Sequence, residues 1–164
     1  MRSFFDTNIL VYAHDPDEAS RRAVARALIE NAIEEESFVV STQVLVEFYA
    51  TSVRRGLLGP AQALELVRFW GGFDTVPHTP ELVTRGLELH QAHSLALRDG
   101  LIVQAALDSR CVILLSEDMQ HGRRFGSLEV ANPFLAGAAH EVPALVYGPG
   151  KRSKRSGKAR KGRG

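Results

Sequence analysis

The sequence predicts an α/β fold, a parallel β-sheet with helices on its faces. Three observations carry this. Short apolar runs alternate with longer segments of helical periodicity, the pattern of strands joined by helical crossovers. The run Val112-Ile113-Leu114-Leu115 is continuously apolar, as a strand buried on both faces must be. A chain of 164 residues, 45% hydrophobic and 24% charged, has enough interior for one domain with a proper core.

Taken in order, residues 2–6 read as a strand, and Thr7-Asn8 after it as a loop or helix start. His14-Asp15-Pro16-Asp17 is a turn. Ala23, Ala27, Leu28 and Ile33 then recur at helical spacing over about 18–36. Phe38-Val39-Val40 is a second strand. Ser41 and Thr42 offer hydroxyl caps to a helix over about 43–55, which Gly56 can end. Pro60 suits the first position of a helix that runs through Ala63, Leu64, Val67 and Trp70 to Gly71-Gly72. A short strand is expected over 73–76, helices over 81–94 and 99–109, the strand 112–115, and a weak last strand over 128–130. The sequence contains no internal repeat.

Composition narrows the function classes. No apolar run approaches the ~18 residues that span a bilayer, and Asp6 and Asn8 interrupt the N-terminal run where a signal peptide needs its core. Cys111 is the single cysteine, so no internal disulfide can form, which suits a reducing cytoplasm. The net charge of +1 conceals an uneven distribution. Residues 151–164 hold eight Lys/Arg and no acid, leaving twelve basic against nineteen acidic residues in the body. The expected organisation is a domain over 1–147 and a basic tail over 148–164, too poor in apolar residues to order itself.

Four acids draw attention. Asp6 ends the first strand and suits an Asx turn or helix cap as well as a ligand site. Asp118, in Ser116-Glu117-Asp118, repeats that arrangement after the best strand. In a parallel sheet both strand ends lie on one edge, where open α/β sheets place their sites. Asp99 opens a helix, where capping and the helix dipole favour an acid without any catalysis. Glu47 shares a helical stripe with Gln43, Thr51 and Arg54, and the wheel alone reads it as solvated. His90 and His93 stand three apart on a helix without a cysteine or clear third ligand nearby, a poor zinc site. No Walker loop or Gly-x-Gly-x-x-Gly fingerprint is present.

In register, Asp6-Thr7-Asn8-Ile9-Leu10, Val46-Glu47-Phe48-Tyr49, Arg98-Asp99-Gly100-Leu101-Ile102, Leu115-Ser116-Glu117-Asp118-Met119-Gln120 and Asn132-Pro133-Phe134 resemble the PIN-domain nucleases, most closely the VapC-type toxins of bacterial toxin–antitoxin modules. The resemblance covers about residues 3–136. It implies a three-layer α/β/α sandwich with a central parallel sheet. It also implies that Asp6, Glu47, Asp99 and Asp118 form an acidic, metal-ligating cluster, with Thr7, Asn8 and Ser116 as polar helpers. The implied function is Mg²⁺- or Mn²⁺-dependent ribonuclease in the cytoplasm. A small antitoxin protein and homodimerisation go with it; the apolar helices around Phe69 and Trp70 could supply the dimer surface or could equally be core. The basic tail departs from the family pattern, and it can be read as an RNA-binding arm or as a solvated extension.

The chemistry agrees with the resemblance. Two carboxylates ~5 Å apart repel by about 3 kcal/mol at an effective dielectric of ~20, so four in one pocket require protons or a cation. Hard oxygen donors favour Mg²⁺ or Mn²⁺. Arg98, Arg123 and Arg124 stand near the motifs and could hold phosphates. Two other readings share these residues: a non-catalytic RNA- or protein-binding module, and a phosphatase with Asp6 as nucleophile. The phosphatase usually wants an acid two residues on, where this chain has Asn8.

Overall fold

In the computed structural model, which describes residues 1–135, six strands form one sheet. They are β1 (Ser3–Phe5), β2 (Phe38–Ser41), β3 (Asp74–Val76), β4 (Ile113–Leu115), β5 (Arg124–Phe125) and β6 (Leu128–Ala131). Their order is β3-β2-β1-β4-β6-β5. The helices are α1 (Thr7–Tyr12), α2 (Ala19–Glu34), α3 (Thr42–Arg54), α4 (Pro60–Trp70), α5 (Pro80–His93) and α6 (Leu97–Asp108). They cover both faces of the sheet, giving the expected α/β/α layers. The expected domain boundary at 147 and the basic tail lie outside the described residues.

The sheet is parallel from β3 through β2, β1 and β4 to β6, and β5 runs antiparallel to β6. The central sheet is parallel as expected, and only the two-residue edge strand β5 departs from it. Phe125 pairs with Leu128 around Gly126-Ser127, and Gly126 takes a φ of +60° that a side chain would resist. Glycine followed by serine is a hairpin signal, but a two-residue strand is too short to show any alternation. Of the two readings open at Thr7-Asn8, loop or helix start, the structure has the helix: the six residues of α1 follow β1 at once.

The sequence explains why the sheet is buried. Phe4, Phe5, Val39, Val40, Leu114 and Leu115 are all inaccessible to solvent, as central parallel strands between helical layers must be. Registers Phe4 to Val39 and Phe4 to Leu114 align β1 with both neighbours. Trp70 is also core, packing edge-on against Phe48 at 4.7 Å. It is therefore unavailable as a partner surface, whereas Phe69 beside it is 54% exposed.

Two features fix the functional edge. From β1 the chain winds through β2 and β3 to one side of the sheet, then crosses to β4 and β6 on the other. The carboxyl ends of β1 and β4 therefore flank a topological switch point, the place where α/β sheets open a crevice. In addition, α5 and α6 cross at glycines. A Cβ on Gly100 would lie 2.5 Å from the Gly86 carbonyl oxygen, and one on Gly86 would lie 2.7 Å from Leu101 Cδ2. That close approach sets where the first turn of α6 stands.

Candidate active site

Asp6 leaves β1 as the cap of α1, and it is completely buried. Both its oxygens are engaged. Oδ1 accepts from Thr7 N at 2.6 Å, while Oδ2 accepts from Ser116 Oγ at 2.6 Å and Asn8 Nδ2 at 3.2 Å. Burial pushes the carboxyl up from 3.8 to about 6, although Ser116, Arg98 and Thr7 all favour its ionised form.

The loop after β4 reaches Asp6 from the other side of the switch point. Ser116 Oγ accepts from Asp118 N at 3.2 Å while donating to Asp6. Asn8 Nδ2 bridges the two acids, 3.2 Å from Asp6 Oδ2 and 3.2 Å from Asp118 Oδ2. The two strand-end carboxylates thus share one donor.

Glu47 comes in from α3. Thr7 Oγ1 donates to its Oε2 at 2.9 Å and Gln43 Nε2 to its Oε1 at 2.8 Å. The polar stripe that the helical wheel reads as solvated therefore turns Glu47, half-buried, toward the other acids. Asp99 stands in the first turn of α6, also half-buried. Burial raises its pKa; Arg98 opposes the rise, and Asp118 and Glu47 add to it. The structure thus brings together all seven residues singled out in the sequence: Asp6, Thr7, Asn8, Glu47, Asp99, Ser116 and Asp118.

The cation these acids share is Arg98. Its Nη2 lies 3.3 Å from Asp6 Oδ1 and 3.2 Å from Asp118 Oδ2, and its Nε lies 3.5 Å from Glu47 Oε2. Burial disfavours the guanidinium charge, but Asp6, Glu47, Asp118 and Asp99 outweigh it and raise its pKa. The other two arginines of interest are engaged elsewhere. Arg123 donates to the His93 carbonyl and Arg124 pairs with Glu129.

Among the described residues, no three His, Cys, Asp or Glu side chains are gathered tightly enough to hold one metal ion. The donor set nevertheless has the chemistry for a hard cation: three aspartates and a glutamate, all oxygen, against one guanidinium. The side-chain oxygens of Asn8 and Gln43 are buried beside these acids without a hydrogen-bond donor. A hydrated divalent ion supplies what such orphaned acceptors lack.

Two supporting residues carry no legible sequence signal. Glu117, between Ser116 and Asp118, points away from the acids and accepts from Tyr12 OH at 2.5 Å. Arg21 donates to the same phenol oxygen at 2.6 Å and lies over the Tyr12 and Phe134 rings. Phe134, in the Asn132-Pro133-Phe134 segment, meets Tyr12 edge-on at 5.1 Å. His90 is part of the scaffold: its Nδ1 bonds to the Leu95 carbonyl at 2.6 Å, closing the turn between α5 and α6.

The PIN domain family model matches residues 3–124. Comparison with curated proteins finds no match. Among solved structures, a toxin–antitoxin complex from Klebsiella pneumoniae superposes with a TM-score of 0.58 at 20% identity, over 80% of this chain and 98% of that one. VapBC2 from Rickettsia felis, bound to a DNA fragment from its promoter, gives 0.59 at 19% identity over the same shares, 80% and 98%. VapC20 from Mycobacterium tuberculosis, a toxin that cleaves the sarcin–ricin loop, gives 0.58 at 18% identity over 68% and 86%. At these identities the likeness is one of fold.

Proposed function

The chain belongs to the PIN domain family, and from that premise we propose that it is a metal-dependent endoribonuclease, the toxin of a toxin–antitoxin pair. The observation that carries this reading is the pairing of Asp6 and Asp118. Two carboxylates from the ends of adjacent parallel strands are held by one amide donor, with Glu47 and Asp99 beside them. An isolated cap or Asx turn has no use for such convergence.

Held by these acids, Mg²⁺ or Mn²⁺ would supply Lewis-acid polarisation of the scissile phosphate and activation of a water. Asp6 and Asp99 are the proposed direct ligands, with Asp118 and Glu47 completing the set or orienting the attacking water. Ser116, Thr7 and Asn8 hold those carboxylates in place. Thr7 is placed to do so twice, its backbone N on Asp6 and its hydroxyl on Glu47. Removing hydrogen-bond support of this kind around a metal site typically changes affinity or activity by ten- to about a hundredfold.

RNA is the proposed substrate, in line with the sarcin–ricin loop cleavage named for the Mycobacterium tuberculosis neighbour. An antitoxin protein is the proposed partner, since two of the neighbours are toxin–antitoxin assemblies. A toxin acting on cellular RNA works in the cytoplasm. Among the described residues no helix is long and apolar enough to cross a membrane. A homodimer is the proposed assembly.

The test is to map cleavage ends in total RNA with the purified protein, wild type against Asp6→Asn, with Mg²⁺ or with EDTA. New ends that need both Asp6 and the metal support the reading. RNA bound but uncut under every condition replaces it with a binding module, and phosphate-ester hydrolysis without RNA cleavage replaces it with a phosphatase.

A further inference from the structure

Among the described residues, Arg98 lacks the short bond that the other paired arginines make; even Arg21, whose ion pairs are 3.5 and 3.8 Å long, donates to the Tyr12 hydroxyl at 2.6 Å. Arg85 grips Asp108 with two bonds of 2.8 and 2.7 Å, Arg55 meets Asp15 at 2.6 Å, and Arg124 meets Glu129 at 2.6 Å. These are charge-assisted lengths, in the usual range of about 2.7–2.9 Å or just below it. Arg98 makes no such bond. Its contacts with Asp6, Asp118 and Glu47 all fall between 3.2 and 3.5 Å, and its Nε is buried without a hydrogen-bond partner. A guanidinium that could fork onto one carboxylate instead sits loosely among three.

That is the position of a general counter-cation. We infer that Arg98 holds the place of the divalent ion in the metal-free protein, and that the ion and the Arg98 guanidinium compete for the same carboxylates. This rests on the metal-dependent reading proposed above. Nη2 spans Asp6 and Asp118, the two strand-end acids, so an ion drawn to both meets the guanidinium there.

The exchange satisfies a group that the present arrangement leaves unmet. Once in water, the Nε–H of Arg98 regains a partner, and the side chain is already 39% exposed, so its way out is open. Four carboxylates with one guanidinium retain an excess of negative charge, and a divalent ion neutralises more of it than Arg98 does. Arg98 thus keeps the acids together before the metal arrives and sets a threshold concentration for its entry.

Calorimetric titration of the full metal-free chain with Mn²⁺ tests this, wild type against Arg98→Gln. The variant is expected to bind about tenfold more tightly, the scale of an ordinary coupling between two ligands of one site. In wild type, Mg²⁺ titration is expected to move the Arg98 Nε–H resonance, assigned by through-bond correlation to the Arg98 backbone amide. Equal Mn²⁺ affinities, or a resonance that stays still at saturating Mg²⁺, overturn the competition and leave the nuclease reading standing. Absence of binding to either protein overturns both. The wild-type resonance needs no variant to fold, so a misfolded Arg98→Gln still leaves a decisive measurement.

Discussion

Ser116 Oγ donates a 2.6 Å hydrogen bond to Asp6 Oδ2, joining the ends of β4 and β1 across the switch point. The same hydroxyl accepts from Asp118 N, so one atom sets the position of both strand-end acids. Ser116→Ala removes the strongest donor that holds Asp6, while Thr7 N and Asn8 remain. The expected loss of stability is about 1–3 kcal/mol, the usual consequence of stripping a partner from a buried polar group. RNA cleavage is expected to fall by roughly ten- to a hundredfold. Urea denaturation and a single-turnover cleavage assay measure the two effects separately.

Asp6 gives a pH dependence of defined sign. Burial raises its carboxyl to about 6 from 3.8, so the folded chain holds this proton more tightly than the unfolded one. The contribution of Asp6 to stability is therefore greatest at low pH and declines as pH rises from about 4 through about 6. Near neutrality the ionised, buried carboxylate costs the metal-free protein about 3 kcal/mol. Asp6→Asn removes that cost. In EDTA the variant is expected to melt above wild type at neutral pH, with the gap closing toward pH 4, while cleavage is abolished. A saturating divalent ion narrows the neutral-pH gap by stabilising wild type alone.

These two residues also mark how far the sequence could be read. Asp6 and Asp118 were legible because each follows an apolar run, and a parallel sheet puts such ends on one edge. Glu47 was not legible from its own helix, since the wheel sees polar neighbours and cannot see Thr7, forty positions away, turning that stripe inward. Arg98 could be named from its nearness to Asp99 as a phosphate holder, yet its place between three carboxylates depends on tertiary packing. Thr7-Asn8 stayed open between loop and helix start because six residues are too few for helical periodicity to register, and β5 was missed because two residues show no alternation. Tyr12 and Glu117 lie 105 positions apart, and no local pattern links them.

Gly100 is where packing and site meet. A Cβ there would stand 2.5 Å from the Gly86 carbonyl oxygen and 3.0 Å from His90 Cβ. The closest of these atoms is backbone, so α5 and α6 must separate to admit the methyl group. Gly100→Ala is expected to cost about 1–3 kcal/mol or more, as overpacking does. Because Asp99, a proposed ligand, precedes Gly100 on the same turn, Mn²⁺ affinity is expected to fall with it. Gly122 and Gly126, with open space at the Cβ position, provide the contrast. Changing either strains only a positive φ and is expected to leave metal affinity unchanged in calorimetry.

Tyr12 holds the Asp118 loop from its far side. Its hydroxyl donates to Glu117 and accepts from Arg21, and Glu117 sits between Ser116 and Asp118. Burial together with the Glu117 carboxylate pushes the phenol up to about 12. The bond therefore stays protonated and intact across the whole working range of pH. In an ultraviolet tyrosinate titration one of the three tyrosines is expected to ionise only near pH 12, and Tyr12→Phe removes that step. The substitution leaves Glu117 with Arg21 alone, at 3.5 Å. Stability is expected to fall by about 1 kcal/mol, the net value of one hydrogen bond. Cleavage is expected to fall several-fold, because Asp118 loses the brace on its neighbouring residue while keeping Asn8 and the Ser116 hydroxyl. A Tyr12→Phe protein that cleaves RNA at the wild-type rate would show that those two contacts alone position Asp118.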